Sequence, residues 1–319
     1  MGIMVLLENN KGKNKNKLID KLTRGVLYGF TIASASFIFI IVGVIIVKGI
    51  NPFISDNQGL GNVDIFRFIT GDTWLTGTAF QSNLYSVGFI IVSTLLIAFL
   101  SLSISLPIGL MTALFIAKVA PKKVSELFRT VIEMLASIPS IIFGLFGASI
   151  IRPFVYNLSE MLGYQSKGGN SMLSTILVLA IMTIPTIASI SEVAIRSVDK
   201  SIIDVSLALG ATKSQTNFKV VLTAAKSGIF ASAILGIGRA LGEATAVSLV
   251  AGGRRSGFSF DILDTTSTLT SIMLEGMKET TGLDYDIRFS VGIILMIIIL
   301  ITNAILNFIK RKVGNMDVK

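Results

Sequence analysis

An all-α integral membrane protein with six transmembrane helices is the fold class this sequence predicts, and three observations predict it. Of 319 residues, 52% are hydrophobic and only 15% charged, against about 25% charged in an ordinary soluble domain. The mean hydropathy of +0.77 exceeds what a water-facing fold accommodates. The apolar residues also gather into about six stretches with few or no charges, each near the roughly 20 residues a helix needs to cross hydrocarbon.

The stretches follow in order. The first runs from Val26 to Val47, longer than the apolar core of about 7 to 15 residues in a cleavable signal peptide and without a small-x-small exit, so it reads as a retained anchor. The second, Leu84 to Ala117, is long enough to tilt. The others span Thr130 to Ile151, Met172 to Ile190, Ile229 to Ala251 and Phe289 to Ile309. Pro107, Pro139 and Pro185 fall inside spans two, three and four, where each either kinks its helix or frees carbonyls that line a cavity.

Orientation follows from the loops, because cytoplasmic segments carry the excess of Lys and Arg. Nineteen of the 28 cations fall on one side: the tail before Val26, the segments around Lys122 and Lys213, and the stretch from Lys310 onward. That side is expected to be cytoplasmic, with both termini on it. Residues 1–25 then form a basic tail, residues 26–312 the transmembrane domain and residues 313–319 a second tail. The Asn- and Lys-rich run from Asn9 to Lys17 reads as a solvated tail or a contact for anionic lipid. Lys48 can snorkel from a helix end; Arg239 cannot. The long outer segments 51–83 and 252–288, the first with Phe66, Phe68 and Trp74, are either a folded cap or a docking place for a soluble protein.

Composition excludes much chemistry. With Cys 0 and His 0 there can be no disulfide, no Cys/His metal site, no cysteine nucleophile and no serine–histidine triad. No Walker A pattern occurs either, so ATP hydrolysis, if used, belongs to another subunit. The chain is expected to be no enzyme and to carry no cofactor.

The segment 191–228 is polar yet patterned. Asp199 or Ser201 can cap a helix bearing Ile202, Val205, Leu207 and Leu209, Gly210 suits a left-handed helix end, and Thr212 with Gln215 fits a capping box opening a second helix through Phe218, Val220 and Val221. Membrane spans on both sides leave such a hairpin little freedom to enter a DNA groove, so no nucleic acid is expected as a partner. Its apolar residues call for a protein partner.

These residues carry a family resemblance. Asp204-Val205-Ser206-Leu207-Ala208-Leu209-Gly210, nine residues, then Val220-Val221-Leu222-Thr223 resembles the EAA loop of ABC importer permeases, Glu-Ala-Ala-xxx-Gly, nine residues, Ile-x-Leu-Pro. Glycine and spacing match, while Asp204 stands for the Glu and Thr223 for the Pro. By this resemblance Asp204, Ala208, Gly210 and Leu222 belong to a coupling element seated on a cytoplasmic ATPase.

The fifth span holds Gly238-Arg239-Ala240-Leu241-Gly242-Glu243. An Arg at the middle of a span costs about 2.5 to 3.5 kcal/mol on insertion scales, so Arg239 needs protein, water or a counter-charge. Glu243, one turn on, can form an ion pair with it, although Arg before Glu is the weaker i,i+4 order. Gly238 with Gly242, and Ser232 with Gly236, are spaced for close helix approach. A midplane cation suits an anion's passage. The run resembles the Gly-Arg-Ala-Leu/Ile-Gly-Glu motif of phosphate importer permeases of the PstC type, together with Glu133, Ile138-Pro139-Ser140, Gly144-Leu145-Phe146-Gly147 and Phe68-Ile69-Thr70-Gly71-Asp72-Thr73-Trp74. Glu133 reads either as an interfacial salt bridge with Arg129 or as a polar contact of the pathway. The resemblance implies the type I ABC importer permease fold and an anion pathway through Arg239, Glu243, Glu133 and Ser140. It also implies partners: ATPase subunits, a homologous second permease and an external phosphate-binding protein, with inorganic phosphate as substrate. Sulfate and molybdate permeases, and an ATP-independent channel or carrier, are the competing readings.

Overall fold

The structure, a computed structural model, describes residues 2–76 and 84–315, with side chains described over 20–57, 59–76 and 84–312. The tail expected over 313–319, and residues 77–83 of the first outer segment, thus lie largely or wholly outside it. Among the described residues there is no strand, only three isolated β-bridges. The helices are α1 (Gly2–Ile54), α2 (Ile65–Thr70), α3 (Gly88–Leu114), α4 (Lys122–Ser137), α5 (Ser140–Phe146), α6 (Arg152–Met161) and α7 (Met172–Arg196). They continue with α8 (Lys200–Ala208), α9 (Lys213–Gln215), α10 (Leu222–Ala224), α11 (Lys226–Gly242), α12 (Thr245–Ser248), α13 (Leu269–Leu274) and α14 (Leu283–Asn315).

Five stretches are long and apolar enough to cross a membrane: Asp20–Ile54, Gly88–Val119, Ser140–Met161, Met172–Arg196 and Leu283–Lys312. A sixth crossing exists only as a broken one, Lys213–Ala224 with Lys226–Gly242, bent by 68°. The pairing is set by small residues. At α3–α7 a Cβ on Gly109 would sit 2.8 Å from Ile187 Cγ2, and at α1–α14 one on Gly49 would sit 2.6 Å from Ile293 Cδ1. Only glycine lets the backbones come that near. Phe30, Phe37 and Phe39 of α1 point away from the protein, as lipid-facing residues do.

Three expectations need correction. The third span does not run from Thr130. Proline disfavours helical backbone in the residue before it, and Ile138 is extended (ψ 128), so α4 ends at Ser137 and the crossing begins at Ser140. A wide, π-type turn over Gly147–Ile151 joins α5 to α6, and Arg152 falls inside the crossing. The fifth span stops at Gly242 rather than Ala251. The basic segment before Val26, read as a tail, continues α1 back to Gly2; Lys is a good helix former, and an existing helix elongates at little cost.

The two long segments between spans fold together into a cap. Phe68, Trp74 and Tyr85 pack with Leu269, Ile272 and Ile287 in one buried cluster, and bridges join Thr73 to Ser256 and Trp74 to Tyr85. Polar contacts join the outer ends of α1 and α14 to each other and to the cap. Lys48 lies 3.3 Å from Asp286, Asn51 donates to the same carboxylate at 2.8 Å, and Tyr85 donates its hydroxyl to Asp284. Burial, and then that hydrogen bond, push the Tyr85 phenol well above its ordinary value.

Trp74 is the one tryptophan of the chain and is 3% exposed, so its fluorescence reports on the cap alone. Phe68→Ala, at a site 1% exposed, is expected to cost about 3 to 5 kcal/mol and to shift Trp74 emission to the red with faster quenching. Unchanged emission and unchanged thermal unfolding would contradict this packing.

Candidate functional site

Helix α11 packs one face of small residues on α7. A Cβ on Gly228 would lie 2.3 Å from Ala194 Cβ, one on Gly236 would lie 3.0 Å from Ile187 Cδ1, and Ser232 shares a 2.9 Å hydrogen bond with Ser191. The expected close approach thus holds for Ser232 and Gly236. It does not hold for Gly238 and Gly242, where a Cβ would meet nothing within 4 Å. That face of the helix is open.

Arg239 lies in the last turn of α11, half-buried, and donates from Nη1 to Thr186 Oγ1 at 2.6 Å. Thr186 follows Pro185, inside α7. A cation at a helix C-terminus also meets the negative end of the helix dipole. Glu243 is not its partner: no ion pair joins them among the described residues. The helix ends at Gly242, Glu243 turns extended (φ −78, ψ 115), and the i,i+4 geometry is lost. Its carboxylate instead accepts the Ala246 amide at 2.9 Å, and its main-chain carbonyl accepts the Thr270 hydroxyl at 2.8 Å. Glu243 therefore holds together the break between α11, α12 and α13.

Glu133 and Ser140 lie elsewhere. Glu133, exposed on α4, pairs with Arg129 four residues earlier at 3.0 Å. Ser140 opens α5, and neither residue is joined to Arg239 or Glu243 by a hydrogen bond or ion pair among the described residues. Helix α5 and the π-type turn after it do approach α12 through glycines: a Cβ on Gly144 would lie 2.8 Å from Ala246 Cα, and one on Gly147 2.9 Å from Val250 Cγ1.

The hairpin forms where local signals place it. Asp199 accepts the Ser201 amide at 2.9 Å, and that bond holds its carboxyl below the ordinary value. Gly210 ends α8 at φ +84, and Thr212 and Gln215 form the capping box. Ser206 bonds Thr216 at 2.9 Å across the turn. Asp204, Ala208 and Gly210 are exposed, as are Val205, Leu209 and Phe218, whereas Leu222 packs with Leu114, Ile195 and Val221. Leu209 is 84% exposed, an apolar residue left for a partner to cover.

One cluster escaped the sequence reasoning. Glu192, 4% exposed, accepts from Arg196 Nε at 2.6 Å, and Arg196 reaches on to Ser125 Oγ at 2.8 Å and the Ile116 carbonyl at 3.3 Å. This clamp ties the end of α7, just before the hairpin, to α3 and α4. The signal was present: a Glu–Arg pair four apart, directly after an apolar run that had been ended at Ile190. No group of three or more Asp or Glu that could hold a metal exists among the described residues.

Comparison with known proteins agrees with this architecture. Residues 105–315 match the family of binding-protein-dependent transport system inner membrane components. A probable ABC transporter permease, YqgH of Bacillus subtilis, is 32% identical over 88% of this chain and 87% of its own length. The phosphate transport system permease PstC 1 of Mycobacterium tuberculosis is 30% identical over 86% and 85%, and PstC of Pasteurella multocida is 33% identical over 72% and 75%. Among solved structures, a bacterial alginate ABC transporter in complex with an alginate-bound periplasmic protein aligns with a TM-score of 0.62 at 16% identity, covering 91% of this chain and 95% of that one. The methionine ABC transporter MetNI aligns at 0.55 and 21% identity, covering 70% and 94%. With six crossings, one of them broken, a cap and an exposed hairpin, the chain belongs to the binding-protein-dependent transport system inner membrane components, with the type I ABC importer permease fold.

Proposed function

We propose that the chain is the permease subunit of an ATP-driven importer that moves inorganic phosphate across the cytoplasmic membrane. The PstC relatives support the substrate. Arg239 is the observation that carries the reading: a guanidinium at the end of a broken span, held by a single hydroxyl, on a helix whose Gly238 and Gly242 face is open. A neutral threonine is easily exchanged for a phosphate oxygen, which makes a stronger, charge-assisted bond. The contact must also be weak enough to release the anion, and Thr186 supplies a place for Arg239 to return to.

In this reading the side bearing the hairpin and both termini is cytoplasmic, as the Lys and Arg distribution indicates. ATPase subunits cover Leu209 and Phe218, an external phosphate-binding protein delivers at the cap, and a homologous second permease closes the open face of α11. Hydrolysis of ATP takes place on the partner. Movement of the hairpin reaches α11, and through it Arg239, because α11 begins at Lys226, two residues after α10 ends at Ala224, with the bend at Ala225 between them.

Arg239→Ala is expected to lower phosphate uptake by at least about tenfold, the loss of one hydrogen bond to a charged group, in vesicles where the complex assembles normally. Uptake at the ordinary level would sink the reading. Gly210→Val places a branched side chain at φ +84, a strain of about 1 to 3 kcal/mol; reduced co-purification with the ATPase, or loss of transport-coupled ATP hydrolysis, is expected. Unchanged association and unchanged coupling would remove the hairpin from the mechanism.

A further inference from the structure

The cap contains two adjacent arginines whose surroundings differ. Arg254 is tied into its own loop: its Nε donates to the carbonyls of Ser256 at 3.0 Å and Gly257 at 2.7 Å, and its Nη1 pairs with Asp264. Burial alone would raise the Asp264 carboxyl, but the Thr265 amide and Arg254 outweigh it and hold the group below its ordinary value. Arg254 is thus a strut of the loop. Arg255 is not. It points into a cavity of about 480 Å³ lined by Ser248, Gly253, Ser271 and Glu275, and makes one side-chain contact, from Nη2 to Glu275 Oε1 at 2.9 Å. A guanidinium has five N–H donors; the other four have no partner among the described residues.

The cavity is next to the break. Its Ser271 follows Thr270, whose hydroxyl holds the Glu243 carbonyl, and its Ser248 closes α12, which starts two residues after Glu243. Gly253, at φ +66, leaves the wall bare: the nearest atoms to a Cβ there would be the Glu275 carboxylate oxygens at 3.8 Å. Both members of the Arg255–Glu275 pair are 47% exposed, and a pair so exposed to water contributes little. It can be exchanged for a better acceptor.

We propose that Arg255 forms a second binding point for a tetrahedral oxyanion of the phosphate class, in the cavity between α12 and α13 on the cap side of Arg239. Its fork donates to two oxygens of the anion side by side, while Glu275 shares the charge when the cavity is empty and prevents tight retention. This rests on the transport reading above and adds an entry site to it.

The absence of native cysteine makes a direct test possible. In the assembled transporter in vesicles, a Ser248→Cys reporter is labelled from outside with a membrane-impermeant thiol reagent, and inorganic phosphate is titrated as protectant. Phosphate is expected to slow labelling, with the half-protecting concentration rising about tenfold in Arg255→Gln, the loss of one charged hydrogen bond, and recovering in part in Arg255→Lys. Glu275→Gln, which releases Arg255 without removing it, is expected to lower that concentration. Absence of protection, protection equal in all variants, or protection by anionic lipid in the vesicle and not by phosphate would each overturn the proposal. If protection is independent of Arg255 while Arg239→Ala still abolishes uptake, only the entry site fails; if protection follows Arg255 while Arg239→Ala transports normally, the central reading fails and the entry site stands.

Discussion

The need to satisfy every backbone amide and carbonyl away from water is the constraint on which the rest of this structure depends. Inside packed protein, an interrupted helix persists only where other protein groups replace the missing hydrogen bonds. The break after Gly242 meets that condition with two side chains. Glu243 takes the Ala246 amide, and Thr270 takes the Glu243 carbonyl. The carboxylate that sequence logic would spend neutralising Arg239 is committed to the backbone. Arg239 is left with a hydroxyl, and that is what makes it suitable for an anion.

The same helix connects this site to the hairpin. Gly228, Ser232 and Gly236 hold α11 against α7 at distances no larger residue permits, while Glu192 and Arg196 fasten the end of α7 to α3 and α4. Helices α7 and α11 are therefore two stiff elements joined by the short chain of α8 to α10. A partner pressing on exposed Leu209 acts on the near ends of both. On the opposite side the cap, joined to α14 through Tyr85 and Asp284, holds α13 against the break through Thr270. The broken span is thus gripped from both sides, with its one open face carrying Gly238 and Gly242.

What the sequence made legible were the features set by neighbours along the chain. The cap of Asp199, the left-handed Gly210 and the box of Thr212 and Gln215 are contests among a few adjacent residues, and they fold as their spacing requires. Six apolar runs gave the helices and their order. Interruptions were harder to see: apolar residues resume after Arg239 and Glu243 and run on to Ala251, so the stretch from Ile229 reads as one span with two charges in it rather than a helix that ends at Gly242. Pro139 did mark the break before α5, yet a proline is equally compatible with a kink. Arg239 meeting Thr186, 53 residues away, and Arg196 meeting Ser125, 71 residues away, depend on how helices are packed, which no local pattern encodes.

The central claim is that Arg239 exchanges its threonine for the transported anion. The most direct measurement is a structure of the assembled transporter, trapped with a non-hydrolysable ATP analogue in inorganic phosphate. The account predicts a tetrahedral anion about 2.7 to 2.9 Å from the Arg239 guanidinium, the range of a charge-assisted bond, with Thr186 released and the Gly238 and Gly242 face lining the passage. An Arg239 still bound to Thr186, with that face sealed by protein and the anion on another path, would contradict it.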